Sequence, residues 1–183
     1  MSGIKYSLRQ ESTSFSIGTT NLRSSNGSLI DTNGCVALLV LSGFAVATIN
    51  FEKRILRKGD FVLLFYDSTF SMLSISAAFS VRYVSFAYHL IEEAIYKPLS
   101  INFWNTIYSN PVFRPNERDF KLLVEWWYQM EWVNNIKDYD YQEEILKNNI
   151  RNLLVATDIE IMDHAGDSLR NSRGHACMLT SFR

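Results

Sequence analysis

The sequence predicts an α+β fold: an antiparallel β-barrel or sandwich first, followed by a C-terminal pair of long helices. Three observations carry this. Phe61-Val62-Leu63-Leu64-Phe65 is apolar at every position, so a strand there must be covered on both of its faces. Segments of strand character flank it at short spacing, at 35–41 and 44–51 before it and at 70–75 and 79–87 after it. From Tyr88 onward the hydrophobic period lengthens from two to about 3.6 and stays helical to near the end.

Met1 to Asn33 carries weak strand signals, at 4–8 and 14–17, with Asn26-Gly27 and Asn33-Gly34 as turn dipeptides. The run 35–41 turns at Ser42-Gly43 into 44–51. Arg57-Lys58-Gly59-Asp60 is a charged turn, in which Gly59 is free to take positive φ and Asp60 to accept from nearby backbone N–H groups. Tyr66-Asp67-Ser68 makes the next reversal. The last strand alternates in part, with Val81 and Tyr83 on one face and Arg82 and Val84 on the other.

The run from His89 reads as a short helix that ends before Pro98, and 101–109 as another short helix or a turn. Asn110-Pro111-Val112-Phe113 is extended, with Pro111 biasing Asn110 away from helix. Asn116 then caps the first long helix, with Glu117 and Asp119 in its opening turn. That helix carries two apolar stripes: Phe120, Leu123, Val124 and Trp127 on one, Leu122, Trp126 and Val133 on the other. Asp140 and Glu143 resemble a capping box for the second helix, 141 to about 163. Two stripes imply two partners, the sheet and either the second helix or another subunit. In the latter case Ile150, Leu153 and Leu154 centre a two-fold interface, with Trp126 and Leu146 beside them.

A chain of 183 residues, 47% hydrophobic, buries a sizeable core without disulfides or metals. It divides into a β-barrel at 1–90, a helical part of the same domain at 91–163, and a Gly- and Arg-bearing linker tail at 164–183. The net charge of −1 lacks the basic excess of a chain that grips a phosphate backbone, so specific binding of duplex DNA is not expected. Cys35 and Cys177 read as reduced thiols of a cytoplasmic chain, with a bridge between them as the alternative. The opening segment has no apolar core of a signal peptide. The longest apolar run, 35–51, is shorter than the ~20 residues of a membrane span and is interrupted by Ser42, Gly43, Thr48 and Asn50.

The sequence offers no grouping of residues to which catalysis is assigned. His89, His164 and His175 are not spaced as metal ligands, and 35–87 holds no histidine and one glutamate, Glu52. A barrel metal site needs several such residues pointing inward, so neither a metal nor a cofactor is expected. No Gly-rich phosphate loop and no G-x-S-x-G elbow is present. Glu92-Glu93 near His89 reads as the solvated face of a helix, and Trp126-Trp127 as packing rather than a stacking platform. Asp158, Glu160, Asp163 and Asp167 lack the loop spacing of a calcium site.

KRILRKGDFVLLFYDSTFSMLSIS, then FSVRYVSFAYHLIEEA, then SNPVF and two long helices form an order of parts that resembles the N-terminal domain of AraC-family transcriptional regulators. The resemblance spans about 35–163. It implies a cupin-like barrel that senses a small-molecule effector, helices that form a homodimer, and DNA contacts made by a helix-turn-helix part absent from this chain. A cyclic-nucleotide-type β-roll is the alternative, and it needs a Gly-Glu…Arg phosphate cassette that 65–79 does not contain. A cupin-type enzyme is the third reading, disfavoured by the missing histidines.

Overall fold

Two segments that are apolar at nearly every position, β3 (Cys35–Ser42) and β6 (Phe61–Phe65), lie side by side at the centre of the molecule. The computed structural model describes residues 6–25 and 27–179, with side chains up to Met162. Around this pair are β1 (Phe15–Thr20), β2 (Leu29–Ile30), β4 (Phe44–Ile49), β5 (Glu52–Arg57), β7 (Phe70–Ile75), β8 (Ser80–Phe86) and β9 (Val112–Phe113). The helices are α1 (Tyr88–Ala94), α2 (Phe103–Ser109), α3 (Glu117–Asn134) and α4 (Tyr139–Leu179). The strands form an antiparallel sandwich, with one sheet in the order β1-β8-β3-β6-β9 and a second in the order β2-β7-β4-β5. The α+β class holds, with an open two-sheet, cupin-like sandwich in place of a closed barrel.

The doubly apolar strand explains why there are two cores. Side chains alternate across a strand, so Val62 and Leu64 face the second sheet while Phe61, Leu63 and Phe65 face outward. The inward set joins Val36, Leu38, Leu56, Phe70, Met72 and Val81 between the sheets. The outward set joins Ala37, Leu39, Val84 and Phe86 beneath a helical layer that supplies Leu90, Phe103, Trp127, Met130, Leu146 and Leu154. The expected split in β8 is present: Val81 belongs to the first core, Val84 to the second, and Arg82 stacks 5.0 Å from the ring centre of Tyr128 on α3. Both stripes of α3 are therefore covered largely from within the chain, one by the sheet and one by α4.

The sequence signals at the helix starts differ in accuracy. Asn116 does cap α3, its Oδ1 accepting from the backbone N–H of Asp119 at 3.0 Å. For α4 the cap is Asp138, not Asp140. Its Oδ1 accepts from the N–H groups of Asp140 and Tyr141 at 3.2 and 3.3 Å, so the helix begins a turn-fraction earlier than the Asp140–Glu143 pair suggests. The helix continues through Leu179, past the end near 163; the linker expected at 164–183 falls beyond the side chains described. The expected strand 44–51 stops at Ile49, because Asn50 and Phe51 make a two-residue reversal into β5 with φ of 49° and 67°.

Such a hairpin turn requires positive φ at both central residues, which Asn tolerates and a bulky aromatic does not. Asn50 compensates by pinning the turn: its Oδ1 accepts from Thr69 N–H at 3.0 Å and its Nδ2 donates to the Tyr108 carbonyl at 2.7 Å. Phe51 has no such return, since its side chain is 81% exposed. Phe51→Gly is therefore expected to raise stability by about 0.5–1 kcal/mol, read as a higher urea midpoint. A lower midpoint would show that the exposed ring makes contacts that outweigh the backbone strain.

Candidate functional site

The Arg57-to-Asp60 turn also positions the site. Asp60 is buried, its side chain only 4% exposed, and its Oδ2 accepts from the Arg57 backbone N–H at 2.8 Å. Its Oδ1 accepts from Nε of Arg114 at 3.2 Å, while the Arg114 side chain is 68% exposed. The buried carboxylate thus holds the stem of an arginine whose terminal nitrogens reach solvent. Arg114 follows β9, the short strand that Pro111 and Phe113 bring against β6 through Leu63 N–H to Pro111 carbonyl and the Phe61–Phe113 pairing. Phe113 and Arg114 form a ridge with a depression on each side.

On one side lies an apolar groove of about 570 Å³ between α3, α4 and the sheet. Phe61, Leu153, Thr157 and Trp126 are its buried lining residues, Leu122, Ala156 and Ile159 are exposed, and Arg114, Arg118, Asp119 and Glu160 are the charged residues bordering it. The Trp126 ring is fixed by Nε1 donating to the Asn149 carbonyl at 3.3 Å and by edge contacts with Phe86 and Trp127. On the other side lies a wider polar cleft between β5, α2 and the end of the described part of α4, bordered by Lys53, Arg54, Arg57 and Arg114.

The residues nominated from sequence fall mainly in the core. Trp126, Leu146, Ile150, Leu153 and Leu154 are all buried inside this chain, and Trp126 and Leu153 among them also line the groove. The apolar helical side chains left open to a neighbour are others, among them Leu122, Tyr128, Trp132 and Ile159. Glu92 and Glu93 lie on the exposed face of α1 with His89. Glu93 pairs with Lys147 of α4, which holds its carboxyl below the usual range, while Glu143 and then Glu93 hold the Lys147 ammonium above its own. Asp158 is structural: it is buried and accepts from the Ser100 backbone N–H at 2.8 Å, fastening the segment before α2 to α4. Burial pushes the Cys35 thiol far above its ordinary value, which keeps it protonated and unreactive. Cys177, His164, His175, Asp163 and Asp167 lie outside the described side chains.

Among the described residues no three His, Cys, Asp or Glu side chains are grouped to hold a metal ion, and no helix is long and apolar enough to cross a membrane. The ridge and its flanking arginines were missed from sequence, although a signal exists. Lys53, Arg54, Arg57 and Lys58 put four cations into six residues of a chain that is otherwise close to neutral.

No family model and no curated protein matches the sequence. Solved structures do match. An apo variant of ToxT from Vibrio cholerae superposes with a TM-score of 0.50 at 17% identity, over 79% of this chain and 56% of the ToxT chain. Wild-type ToxT bound to an unsaturated fatty acid gives a TM-score of 0.49 at 16% identity, over 83% and 57% of the two chains. A further ToxT structure gives 0.45 at 16% identity, over 81% and 57%. At these identities the likeness is one of fold, and the chain spans little more than half the length of these ToxT chains. Over this span the chain shares its fold with ToxT. The order of strands, Asn-Pro segment and helix pair read from the sequence is present in three dimensions, and ToxT is among the structures that share it.

Proposed function

We propose that this chain is the effector-sensing and self-associating part of a cytoplasmic transcriptional regulator, not an enzyme, whose DNA contacts are made by a separate part. The observation that carries the reading is the apolar groove at the junction of the sheet with α3 and α4, in a fold shared with a transcriptional regulator. A groove there touches both layers, so an occupant changes how the helices sit on the sandwich. Its lining favours an amphipathic small molecule with an apolar body along Trp126, Leu123 and Ala156 and an anionic group toward Arg118. Arg118 is exposed and, among the described residues, makes no hydrogen bond or ion pair. The net charge of −1 supports assigning DNA contacts elsewhere. For the second copy, Tyr128 and Trp132 present exposed aromatic surface on α3, Trp132 at 61% exposure.

The test is a titration with oleate, read by tryptophan fluorescence and by sedimentation. Saturable quenching is expected in the wild type and at least about tenfold weaker binding in Ala156→Trp, which fills the groove. Sedimentation at tens of micromolar should show a dimer that Trp132→Asp dissociates. A folded wild type that neither binds an amphipathic anion nor self-associates would remove the reading.

A further inference from the structure

We propose that the polar cleft on the far side of the Phe113-Arg114 ridge is a binding site for a small phosphorylated molecule. The cleft encloses about 1280 Å³ between the β5 edge of the second sheet, α2 and the α4 segment at Ile161 and Met162. Three cations enter it from β5, Lys53, Arg54 and Arg57, and a fourth, Arg114, enters from after β9. Among the described residues that line it there is no carboxylate. This concentration does not reflect a basic chain, because the whole sequence carries a net charge of −1.

The four cations differ in how far they are already engaged. Arg54 is committed to structure: it pairs with Glu52 and donates to the Ser109 carbonyl at 3.0 Å. Arg114 is held through Nε by Asp60, and its two terminal nitrogens make no hydrogen bond among the described residues, which leaves donors for an oxyanion. Lys53 and Arg57 are exposed and, among the described residues, have neither a hydrogen bond nor an ion pair from their side chains. Glu52 and Asp60 offset two of the four charges, so two remain uncompensated around one concavity. A phosphate monoester carries about −1.5 to −2 at neutral pH, with three acceptor oxygens, and matches that surplus. Asn102 and Asn105 border the cleft from the α2 side and supply neutral donors and acceptors for the organic part of the ligand.

A simpler reading is that the β5 cations guard an edge strand against pairing with another chain, since β5 bonds only to β4. Guarding needs outward charge on the strand alone. It does not account for Arg114, which comes from another element and is anchored by the buried carboxylate of Asp60 behind the cleft lining. A duplex nucleic acid is disfavoured because the cations line a recess rather than a long open face.

The experiment is calorimetric titration of the full 183-residue chain with AMP, inorganic pyrophosphate, citrate and a 20-base-pair duplex at matched ionic strength. Saturable binding of AMP or pyrophosphate is expected, with affinity at least roughly tenfold lower in Lys53→Gln, Arg57→Gln and unchanged in the surface control Lys121→Gln. Both substituted residues are exposed and unpaired, so the double variant should melt at the wild-type temperature without ligand. Absence of saturable phosphate binding, equal affinity in the double variant, citrate as strong as AMP, or binding of the duplex alone would each overturn the proposal. None of these results bears on whether oleate enters the groove, so the two readings fail separately.

Discussion

Leu63→Ala is expected to cost about 3–5 kcal/mol and to lower the melting temperature by roughly 10 °C. Leu63 is fully buried in the central strand, opposite Ala37 of β3 and hydrogen-bonded through its N–H to the Pro111 carbonyl at 3.0 Å. Deleting its side chain removes transferred apolar surface and leaves a hole between sheet and helices. The hole cannot close from the strand side, because β6 is tied to β3 on one edge and β9 on the other. It cannot close easily from above either, where Trp127 and Phe61 meet edge-on with ring centres 6.3 Å apart. The check is a urea titration in which the midpoint falls at unchanged slope. Leu73→Ala is the control: Leu73 is 50% exposed on β7, and its loss should cost well under the lower bound above. A Leu63→Ala midpoint equal to that of the wild type would show that β6 is not the strand on which both cores are built.

That strand was legible because a run of five apolar residues has one physical meaning in a half-polar chain. Either it is covered twice or it aggregates, and the change of period after it supplies the helices that cover the second face. Turns with Gly or Asp were legible for the same local reason. The Asn50-Phe51 reversal was not, since nothing in an aromatic residue announces positive φ, and what stabilises it is a side chain bonding to Tyr108, far off in sequence. Strand β9 was seen only as extended chain, because two residues cannot show a period and their pairing with β6 is a tertiary event.

The two stripes of α3 were read correctly as requiring two partners, yet a stripe does not say whose surface covers it. Here α4 of the same chain covers most of one, which places Ile150 and Leu154 in the core; Leu122 alone of that stripe is left at 54% exposure beside the groove. The ridge was illegible for a different reason. Its anchor is a buried carboxylate in one turn holding an arginine more than fifty residues later, and no spacing rule connects them. Only the density of cations at 53–58 could have drawn attention to that edge.

Gly34→Ala is expected to be far more damaging than Gly59→Ala. Gly34 leads into β3 with φ of 102°, a conformation that costs an L-residue about 1–3 kcal/mol by itself. A Cβ at that position would also lie 1.9 Å from the Phe86 carbonyl oxygen and 2.9 Å from the backbone of Ala87 and Tyr88. Those atoms belong to the junction where β8 ends and α1 begins, and they have little freedom to retreat. Cys35 pairs with Phe86 across the β3–β8 ladder, and Ala87 N–H is bonded to the Ser14 carbonyl at 2.7 Å. Relief would mean opening the β3–β8 ladder inside the five-stranded sheet or lifting α1 from the second core. Gly59 separates the two costs, for it has φ of 90° in the Arg57-to-Asp60 turn and nothing within 4 Å of an added Cβ. Gly59→Ala should therefore lose only the conformational term, about 1–2 kcal/mol, while Gly34→Ala should lose at least twice that or fail to accumulate as folded protein. Urea midpoints and soluble yield measured side by side decide it. Equal losses at the two positions would mean that β3 does not enter the sheet beneath the β8–α1 junction, and the placement of the helical layer on β3 and β6 would have to be redrawn.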